Sequence, residues 1–310
     1  MCGFAGLQRL DIDRGKCLDA GTMAESLAHR GPDAAGTWKC PAGNFELGFR
    51  RLAIRDLDPR ANQPMVSASG RTVLVFNGEI YNTEELVARF CPGVALRTTS
   101  DSEVLLEAFD RCGPDVLDEI NGMFAAVFYC IESGTAWLAR DAAGKKPLYL
   151  YQATGYVAFA SELRAFTGLP LHPDPSRVPF FLHFGYIPAP DTFYRDVSQL
   201  RPGERVQLRE GRVVARHRFH DPLSWSWGSQ PSVDLEEIQE LVDDAVVRRT
   251  VSDVPVGTFL SGGVDSSLVA ASLASAGRGD LPTFTVSFDD PRFNEGPQAA
   301  AVAAELGLPH

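Results

Sequence analysis

The first two hundred residues alternate short apolar runs with polar turns, a pattern typical of β-strands. Within one run, for example, Phe45, Leu47 and Phe49 alternate with residues on the opposite face. Strands are predicted at Asn44–Ile54, Arg71–Phe76, Met123–Ile131, Ala136–Ala139, Leu148–Tyr151 and Tyr156–Ala160. Helical spacing instead covers Thr83–Phe90 and Asp101–Cys112. The mixture predicts packed layers of strands and helices, an α+β architecture.

From residue 234 onward the pattern changes to strands and helices in alternation, which predicts the beginning of a parallel sheet. Asp234 can cap the first helix, whose apolar stripe contains Leu235, Ile238 and Leu241. The elements that follow are strand Val256–Leu260, an alanine-rich helix, strand Thr283–Phe288 and helix Pro297–Leu306. The segment before this helix is rich in Pro, Ser, Trp and Gly and is typical of a linker. We therefore predict domains at 1–215 and 234–310, joined by a linker at 216–233.

The chain has 310 residues, which is long for one compact domain. Its net charge of −11 argues against nonspecific nucleic-acid binding and against binding to anionic membranes, since both need basic patches. The six cysteines form no C-x-x-C pair and no metal-ligand spacing, which predicts reduced thiols in a cytoplasmic protein. The sequence shows neither a signal peptide nor a run of about 20 apolar residues.

Cys2 follows the initiator methionine and is the first candidate for chemistry. Removal of Met1 would place a thiol and a free α-amine on one residue. The amine has a pKa of about 7.7–8.0 and can act as a base near neutral pH, while the thiolate is a strong nucleophile. Cys2 is therefore a candidate nucleophile that carries its own base, although most cysteines at this position have no catalytic role.

Asn77-Gly78 follows the predicted strand Arg71–Phe76. A side-chain amide and a backbone N–H that converge on one point can bind an oxyanion at about 3 Å from each donor. The alternative is a hairpin turn, because Asn-Gly is a frequent turn pair. Taken by itself, the pair leaves both interpretations open.

Two charged residues suit the ends of an amino acid. Arg51 can pair bidentately with a carboxylate, and Asp101 can pair with an ammonium group, although either could equally be a surface charge. The segment His29–Asp33 has the composition of a turn. It either supports a site structurally or contacts a ligand directly.

The segment Ser261–Ser267, with the sequence S-G-G-V-D-S-S, lies between a predicted strand and a predicted helix. Its glycines let backbone amides approach a phosphate, and the N-terminus of a helix favours an anion. Its serines add hydroxyl donors, and Asp265 could hold Mg²⁺. The loop lacks the lysine of the P-loop motif. A generic Gly-Ser turn is the alternative to phosphate binding.

Together and in this order, these motifs resemble the glutamine-hydrolysing asparagine synthetase family. The segments that carry the resemblance are Met1-Cys2-Gly3, His29–Asp33, Arg51-Leu52-Ala53-Ile54, Asn77–Asn82, Ser100-Asp101-Ser102-Glu103, Gly122-Met123-Phe124-Ala125, Arg140-Asp141, Lys146-Pro147-Leu148-Tyr149, Ala160-Ser161-Glu162-Leu163 and Ser261–Ser267. They extend through nearly the whole chain.

The resemblance implies an α+β four-layer αββα sandwich of the N-terminal-nucleophile type, followed by the start of an α/β parallel-sheet domain of the ATP-pyrophosphatase type. It implies that Cys2 is the nucleophile and that Asn77 and Gly78 form the oxyanion hole. The glutamine-binding residues that it implies are Arg51, Leu52, Ile54, Asn77, Gly78, Glu79 and Asp101. The ATP- and pyrophosphate-binding residues that it implies are Leu260, Ser261, Gly262, Gly263, Asp265, Ser266, Ser267 and Val286, with Asp265 as the Mg²⁺ ligand.

The resemblance further implies ATP- and Mg²⁺-dependent amidation of aspartate by ammonia from glutamine, with no cofactor in the glutaminase half, and it leaves room for a homodimer. Family members continue beyond the segment that corresponds to His310. The chain as given is therefore expected to hydrolyse glutamine without forming asparagine. One alternative is amidation of another carboxylate in a peptide or polysaccharide pathway. A second is an inactive regulatory or interaction module.

Overall fold

The structure is a computed structural model that describes residues 1–11, 18–221 and 234–310. The chain divides into two compact units, Met1–Trp225 and Ser226–His310, and each is described by itself. The predicted linker from 222 onward lies outside the described residues, as does Cys17. Among the described residues, no helix is both long enough and apolar enough to cross a membrane.

Two antiparallel sheets of six strands each form the body of the first unit, in the orders β10-β8-β9-β1-β3-β2 and β12-β11-β7-β6-β5-β4. Their strands are β1 Gly3–Arg9, β2 Ala34–Lys39, β3 Phe45–Arg51, β4 Met65–Val66, β5 Thr72–Ile80, β6 Gly122–Cys130, β7 Thr135–Arg140, β8 Tyr149–Ala153, β9 Tyr156–Ala160, β10 Val197–Gln199, β11 Glu204–Arg209 and β12 Arg212–Arg218. β1 pairs with both β3 and β9. The residue that precedes β1, Cys2, therefore lies at the end of a central strand.

The helices of the first unit are α1 Ala20–Glu25, α2 Thr83–Phe90, α3 Asp101–Cys112 and α4 Val178–Phe184. α2 and α3 have the predicted bounds. Ser100 caps α3, because its side chain accepts a hydrogen bond from the backbone N–H of Glu103. A capped, amphipathic helix of this kind is specified by local sequence, and for that reason the prediction was accurate here.

The apolar residues of the first unit form three layers of core. Phe4, Phe45 and Val75 belong to the central one, between the two sheets. A second core packs α2 and α3 against the outer face of the sheet that contains β5. A third packs α1 against the outer face of the sheet that contains β1. Helix, sheet, sheet and helix therefore follow one another, which confirms the predicted αββα sandwich.

Strand β5 differs from the sequence prediction, because it continues through Asn77 and Gly78 to Ile80. Its register with β6 is unbroken from Thr72, opposite Cys130, to Ile80, opposite Gly122. The interpretation of Asn77-Gly78 as a hairpin turn is therefore wrong. The long ladder to β6 outweighs the local turn preference of the pair. The predicted strands Met123–Ile131 and Ala136–Ala139 correspond to β6 and β7, which pair in antiparallel register as a hairpin.

The second unit contains β13 Thr258–Phe259, β14 Thr283–Phe284, α5 Leu235–Arg248, α6 Val264–Ser275 and α7 Gly296–Leu306. The two strands are parallel, as predicted, but shorter than Val256–Leu260 and Thr283–Phe288. The ladder ends where the Thr285 hydroxyl donates to the carbonyl of Leu260. Asp234 caps α5 by accepting from the N–H of Glu236.

Candidate active site

Cys2 lies half-buried at the start of β1, and its thiol contacts the loop that follows β3. The backbone N–H of Leu52 donates to the Cys2 Sγ at 3.4 Å, and the thiol lies 3.6 Å from the Leu52 carbonyl oxygen. Burial raises the pKa of the Cys2 thiol. It lowers the pKa of the adjacent α-amine, which belongs to Met1 in this chain. The thiol thus needs a base to form the thiolate.

The segment His29–Asp33 holds Cys2 in place. The Arg30 Nε donates to the carbonyl oxygen of Cys2 at 2.9 Å, and the same guanidinium pairs with Glu162 at 2.7 Å. Gly31 lies directly against backbone, since a Cβ there would come within 2.4 Å of the Arg50 carbonyl oxygen. In this structure the segment therefore supports Cys2 and the neighbouring loop.

A pocket beside Cys2 contains about 360 Å³ of empty space, part of it open to solvent. It is lined by Cys2, Arg51, Leu52, Ile54, Arg55, Ala61, Gln63, Phe76, Gly78, Glu79, Ser100, Asp101 and Ser102. The fold thus brings together every residue predicted for the glutaminase half except Asn77, which lies next to the lining residues Phe76 and Gly78.

Asn77 is buried and has an unpaired side-chain amide. It shares a face of β5 with Val73 and Val75, which pack into the core between the sheets together with Cys2. Its side chain is 1% exposed, and its Nδ2 has no hydrogen-bond partner among the described residues. A buried amide N–H without a partner is costly, so it points to a ligand atom.

The backbone N–H of Gly78 is directed into the pocket. Its neighbours Phe76 and Ile80 donate their N–H groups away from β6, to the Gln63 Oε1 at 2.6 Å and the Asp101 Oδ2 at 2.9 Å. Successive N–H groups of a strand point in opposite directions, so every second one points the same way. The N–H of Gly78 therefore has the same direction as those of Phe76 and Ile80. Asn77 and Gly78 therefore offer two donors close to the Cys2 end of β1.

Two carboxylates, Glu79 and Asp101, lie in the same pocket. Burial and the Asp101 charge raise the pKa of Glu79 to about 8. Burial also raises the pKa of Asp101, although Arg55 and the N–H of Ile80 oppose that shift. A buried and a half-buried carboxylate that lie together favour the binding of a cation, as an ammonium group requires.

Arg51 lines the pocket, but its guanidinium is engaged by the loop that follows β3. One of its terminal nitrogens donates to the Asp58 carbonyl oxygen at 3.1 Å and to the Asn62 Oδ1 at 2.8 Å. The other donates to the carbonyls of Arg55 and Asp56. Of its five N–H groups, four therefore bond the protein. The assignment of Arg51 to a substrate carboxylate stays a prediction.

Sequence reasoning assigned no role to Arg55, Gln63 or Lys146. Arg55 comes directly after the Arg51–Ile54 motif, and Lys146 lies within another motif, so both positions were visible in the sequence. Lys146 is 6% exposed, and burial lowers its pKa while the nearby Glu79 opposes that shift. The fold alone shows that these side chains and Glu79 lie together.

In the second unit, the loop Ser261–Gly263 joins β13 to α6 at the carboxyl end of the strand. The Ser266 hydroxyl accepts from the N–H of Ser261 and lies 2.8 Å from its hydroxyl. Gly262 has a φ of 74°, and its carbonyl accepts from the Gln298 Nε2 at 2.9 Å. The loop is thus a fixed turn at a helix N-terminus, a geometry suited to an anion.

The other predicted nucleotide residues have mixed surroundings. Leu260 is 1% exposed and belongs to the core of the second unit, whereas Val286 is 63% exposed. Asp265 is exposed in the first turn of α6. The described residues contain no group of three or more His, Cys, Asp or Glu side chains that could hold a metal ion. Asp265 therefore fits Mg²⁺ only as one ligand beside substrate phosphates, the manner in which Mg²⁺ usually binds.

The chain matches two family models. Residues 1–220 match the model described as a glutamine amidotransferase domain, and residues 237–310 match that of asparagine synthase. The solved structures similar to this chain include the glutamine phosphoribosylpyrophosphate amidotransferase of Bacillus subtilis, complexed with ADP and GMP. It has a TM-score of 0.52 and 19% identity, and the match covers 92% of this chain and 65% of that one. This likeness shows the fold.

Several curated relatives are glutamine-hydrolysing asparagine synthetases. The chain is 34% identical to a putative enzyme of this name from Mycobacterium tuberculosis, over 92% of its own length and 46% of the relative's. It is 32% identical to asparagine synthetase 1 of Bacillus subtilis, over 99% and 49% of the two lengths. The chain thus spans about half the length of the curated relatives it matches. The chain therefore belongs to the family of proteins with a glutamine amidotransferase domain.

Proposed function

We propose that the first unit hydrolyses glutamine to glutamate and ammonia, with Cys2 as the nucleophile. The observation that carries this proposal is one pocket in which the Cys2 thiol lies near two oxyanion donors and two carboxylates. Family membership supports the reaction class. The buried amide of Asn77, without a partner among the described residues, supports the position of the reacting oxygen.

The nucleophile forms when Met1 is removed. Met1 is 57% exposed, which is compatible with its removal by an aminopeptidase. The freed α-amine of Cys2 takes the thiol proton, and the thiolate attacks the γ-carboxamide carbon of glutamine. The amine then returns that proton to the departing ammonia. Water hydrolyses the γ-glutamyl thioester, which releases glutamate and restores the thiol.

The remaining groups bind the substrate and stabilise charge. The Asn77 amide and the Gly78 N–H receive the oxyanion of the tetrahedral intermediate. Asp101 and Glu79 bind the α-ammonium, and Arg51 binds the α-carboxylate, with Leu52 and Ile54 as the adjoining wall. Placing the α-ammonium beside two carboxylates favours their ionised forms.

The second unit takes part in using the ammonia. Backbone and hydroxyl donors of Ser261, Gly262, Gly263, Ser266 and Ser267 hold the phosphates of ATP, beside Leu260 and Val286, and Asp265 contributes to Mg²⁺ binding. In the whole enzyme, the β-carboxylate of aspartate would attack the α-phosphorus of ATP and release pyrophosphate, and ammonia would then displace AMP from the resulting aspartyl adenylate to give asparagine. Mg²⁺ held by Asp265 and the phosphates would neutralise phosphate charge. The asparagine synthase match over residues 237–310 supports this assignment.

The test is release of glutamate and ammonia from L-glutamine by the purified chain. N-terminal sequencing of the same sample should begin at Cys2. D-glutamine, which reverses the positions of the ammonium and carboxylate groups, should be a poor substrate. A correctly processed protein that hydrolysed no L-glutamine would contradict the proposal.

A further inference from the structure

The glutamine pocket already contains a cation beside one of its carboxylates. The side chain of Arg55 lies 3.7 Å from the Asp101 Oδ2, and the two side chains are only 14% and 8% exposed. The same Arg55 nitrogen donates to the carbonyl oxygen of Ile80 at 2.9 Å. The N–H of Ile80 donates to the Asp101 Oδ2 at 2.9 Å. Arg55 and the backbone N–H and C=O of Ile80 thus link the end of β5 to Asp101, the first residue of α3.

The loop fixes Arg55 in this place. The Arg51 guanidinium donates to the carbonyl oxygen of Arg55 at 3.2 Å, so the motif arginine holds the backbone from which Arg55 extends. The side chain of Arg55 is therefore directed into the pocket that Asp101 and Glu79 line. An ion pair of this kind competes with an incoming ammonium group and also keeps the carboxylate charged before that group arrives.

We infer that Arg55 is a positioning residue of the glutamine pocket: it is the resident counter-ion that keeps Asp101 ionised and directed toward the substrate's ammonium group. The inference rests on the proposed function, since it takes the pocket as the glutamine site. It goes further in giving the pocket an internal cation that the substrate must accommodate.

Two opposite consequences follow when Arg55 is neutralised. Asp101 is faced by Arg55 from the loop and by Glu79 from β5, while Arg51 and Cys2 line the same pocket and Lys146 acts on Glu79. Without Arg55, burial and the Glu79 charge leave Asp101 protonated up to a higher pH, so glutamine must displace an additional proton. At a pH where both carboxylates are ionised, the variant also lacks the cation that competes with the ammonium group. It should then bind glutamine at least as tightly as the parent.

The experiment compares Arg55→Gln, which can still donate a hydrogen bond to Ile80, with Arg55→Lys, which keeps the charge. Arg60→Gln is the matched control, because Arg60 lies in the same loop but pairs with Asp58 at the surface. The KM for glutamine is measured between about pH 6 and about pH 9. On acidification, we expect the KM of Arg55→Gln to rise more steeply than the KM of the parent. The additional rise should be up to about tenfold per pH unit. The two curves should meet or cross near the alkaline end.

Arg60→Gln should follow the parent curve, with kcat within about threefold throughout. Arg55→Lys keeps the charge and should restore the parent's dependence of KM on pH. A parent-like KM profile in Arg55→Gln would overturn the inference. So would an equal loss at every pH, which is the signature of a loop that has merely collapsed.

A second measurement does not depend on glutamine. The folded-state pKa of Asp101 is raised, so its contribution to stability is lost as pH rises, and more is lost without Arg55. The gap in thermal unfolding midpoint between parent and Arg55→Gln should therefore widen from about pH 5 to about pH 8 and stay constant in an Asp101→Asn background. A constant gap in both backgrounds would overturn the inference. A parent protein that hydrolyses no glutamine would contradict the proposed function. The thermal unfolding midpoints would then still test whether Arg55 is the counter-ion of Asp101.

Discussion

At the scale of single residues, the proposed chemistry depends on Cys2, whose thiol pKa is raised by burial and which would therefore need a base. Cys2→Ala should reduce glutamine hydrolysis to background while the circular dichroism spectrum stays unchanged, because it removes one partly buried sulfur atom and leaves β1 paired with β3 and β9. Cys112→Ala is the control, since Cys112 is an exposed free cysteine. Ammonia release at the parent rate by Cys2→Ala would end the assignment.

Asn77 and the residues at the ends of the substrate should affect different kinetic constants. Asn77→Ala should lower kcat by about 10²–10³, the usual effect of losing one oxyanion donor. Substitution of Arg51 or Asp101 by Ala should mainly raise KM, because these contacts are made in ground and transition states alike. Steady-state kinetics separate the two outcomes. An Asn77→Ala protein that changed only in KM would show that its amide does not receive the oxyanion.

Glu79 should make glutamine capture depend on pH. Its pKa of about 8 means that it is largely protonated at neutral pH and that the ammonium of glutamine must displace that proton. On the acid side of pH 8, kcat/KM should therefore rise with pH as Glu79 and the Cys2 amine lose their protons, and then level off. In Glu79→Gln, the slope of log kcat/KM should fall from about two to about one. An unchanged slope would remove Glu79 from this role.

At the scale of elements, β5 is the strand on which the site depends, and Gly78 is its most constrained position. A Cβ there would come within 2.3 Å of the Met123 carbonyl oxygen on β6. Gly78→Ala should therefore push the strands apart, lower stability by about 1–3 kcal/mol and reduce activity. Gly279→Ala is the matched control, since a Cβ at Gly279 meets nothing within 4 Å. Denaturant unfolding of both variants measures this loss of stability. Equal unfolding midpoints for Gly78→Ala and Gly279→Ala would contradict the expected clash.

At the scale of the whole molecule, the two units differ in how deeply their elements are buried. Seven of the nine residues of β5 are buried, whereas none of the residues of α5 is. Amide hydrogen exchange should therefore be slowest in β5 and β6 and far faster in α5, because opening α5 exposes little apolar surface. Mass spectrometry of the exchanging protein measures this directly. Comparable protection in α5 and β5 would contradict the expectation.

Local sequence was sufficient where local physics dominates. The helices Thr83–Phe90 and Asp101–Cys112 have the predicted bounds, because apolar spacing specifies both and a capping serine marks the start of the second. The identity of the chemical groups was also visible: an N-terminal cysteine, an Asn-Gly pair, a motif arginine and an aspartate after a serine. The extension of β5 through Asn77 was not visible, because the local preference for a turn is reversed only by the ladder to β6.

The sequence by itself determined which residue types are available and most of the elements that carry them. Only the tertiary structure decided which of them meet: the Cys2 thiol with the Leu52 N–H, and Arg55 with Asp101. It also decided that the Asn77 amide is buried without a partner among the described residues, and that Arg51 is engaged by its own loop. The physical reason is range. Propensity and capping act over a few residues along the chain, whereas burial and charge pairing depend on distances that exist only after the two sheets have packed.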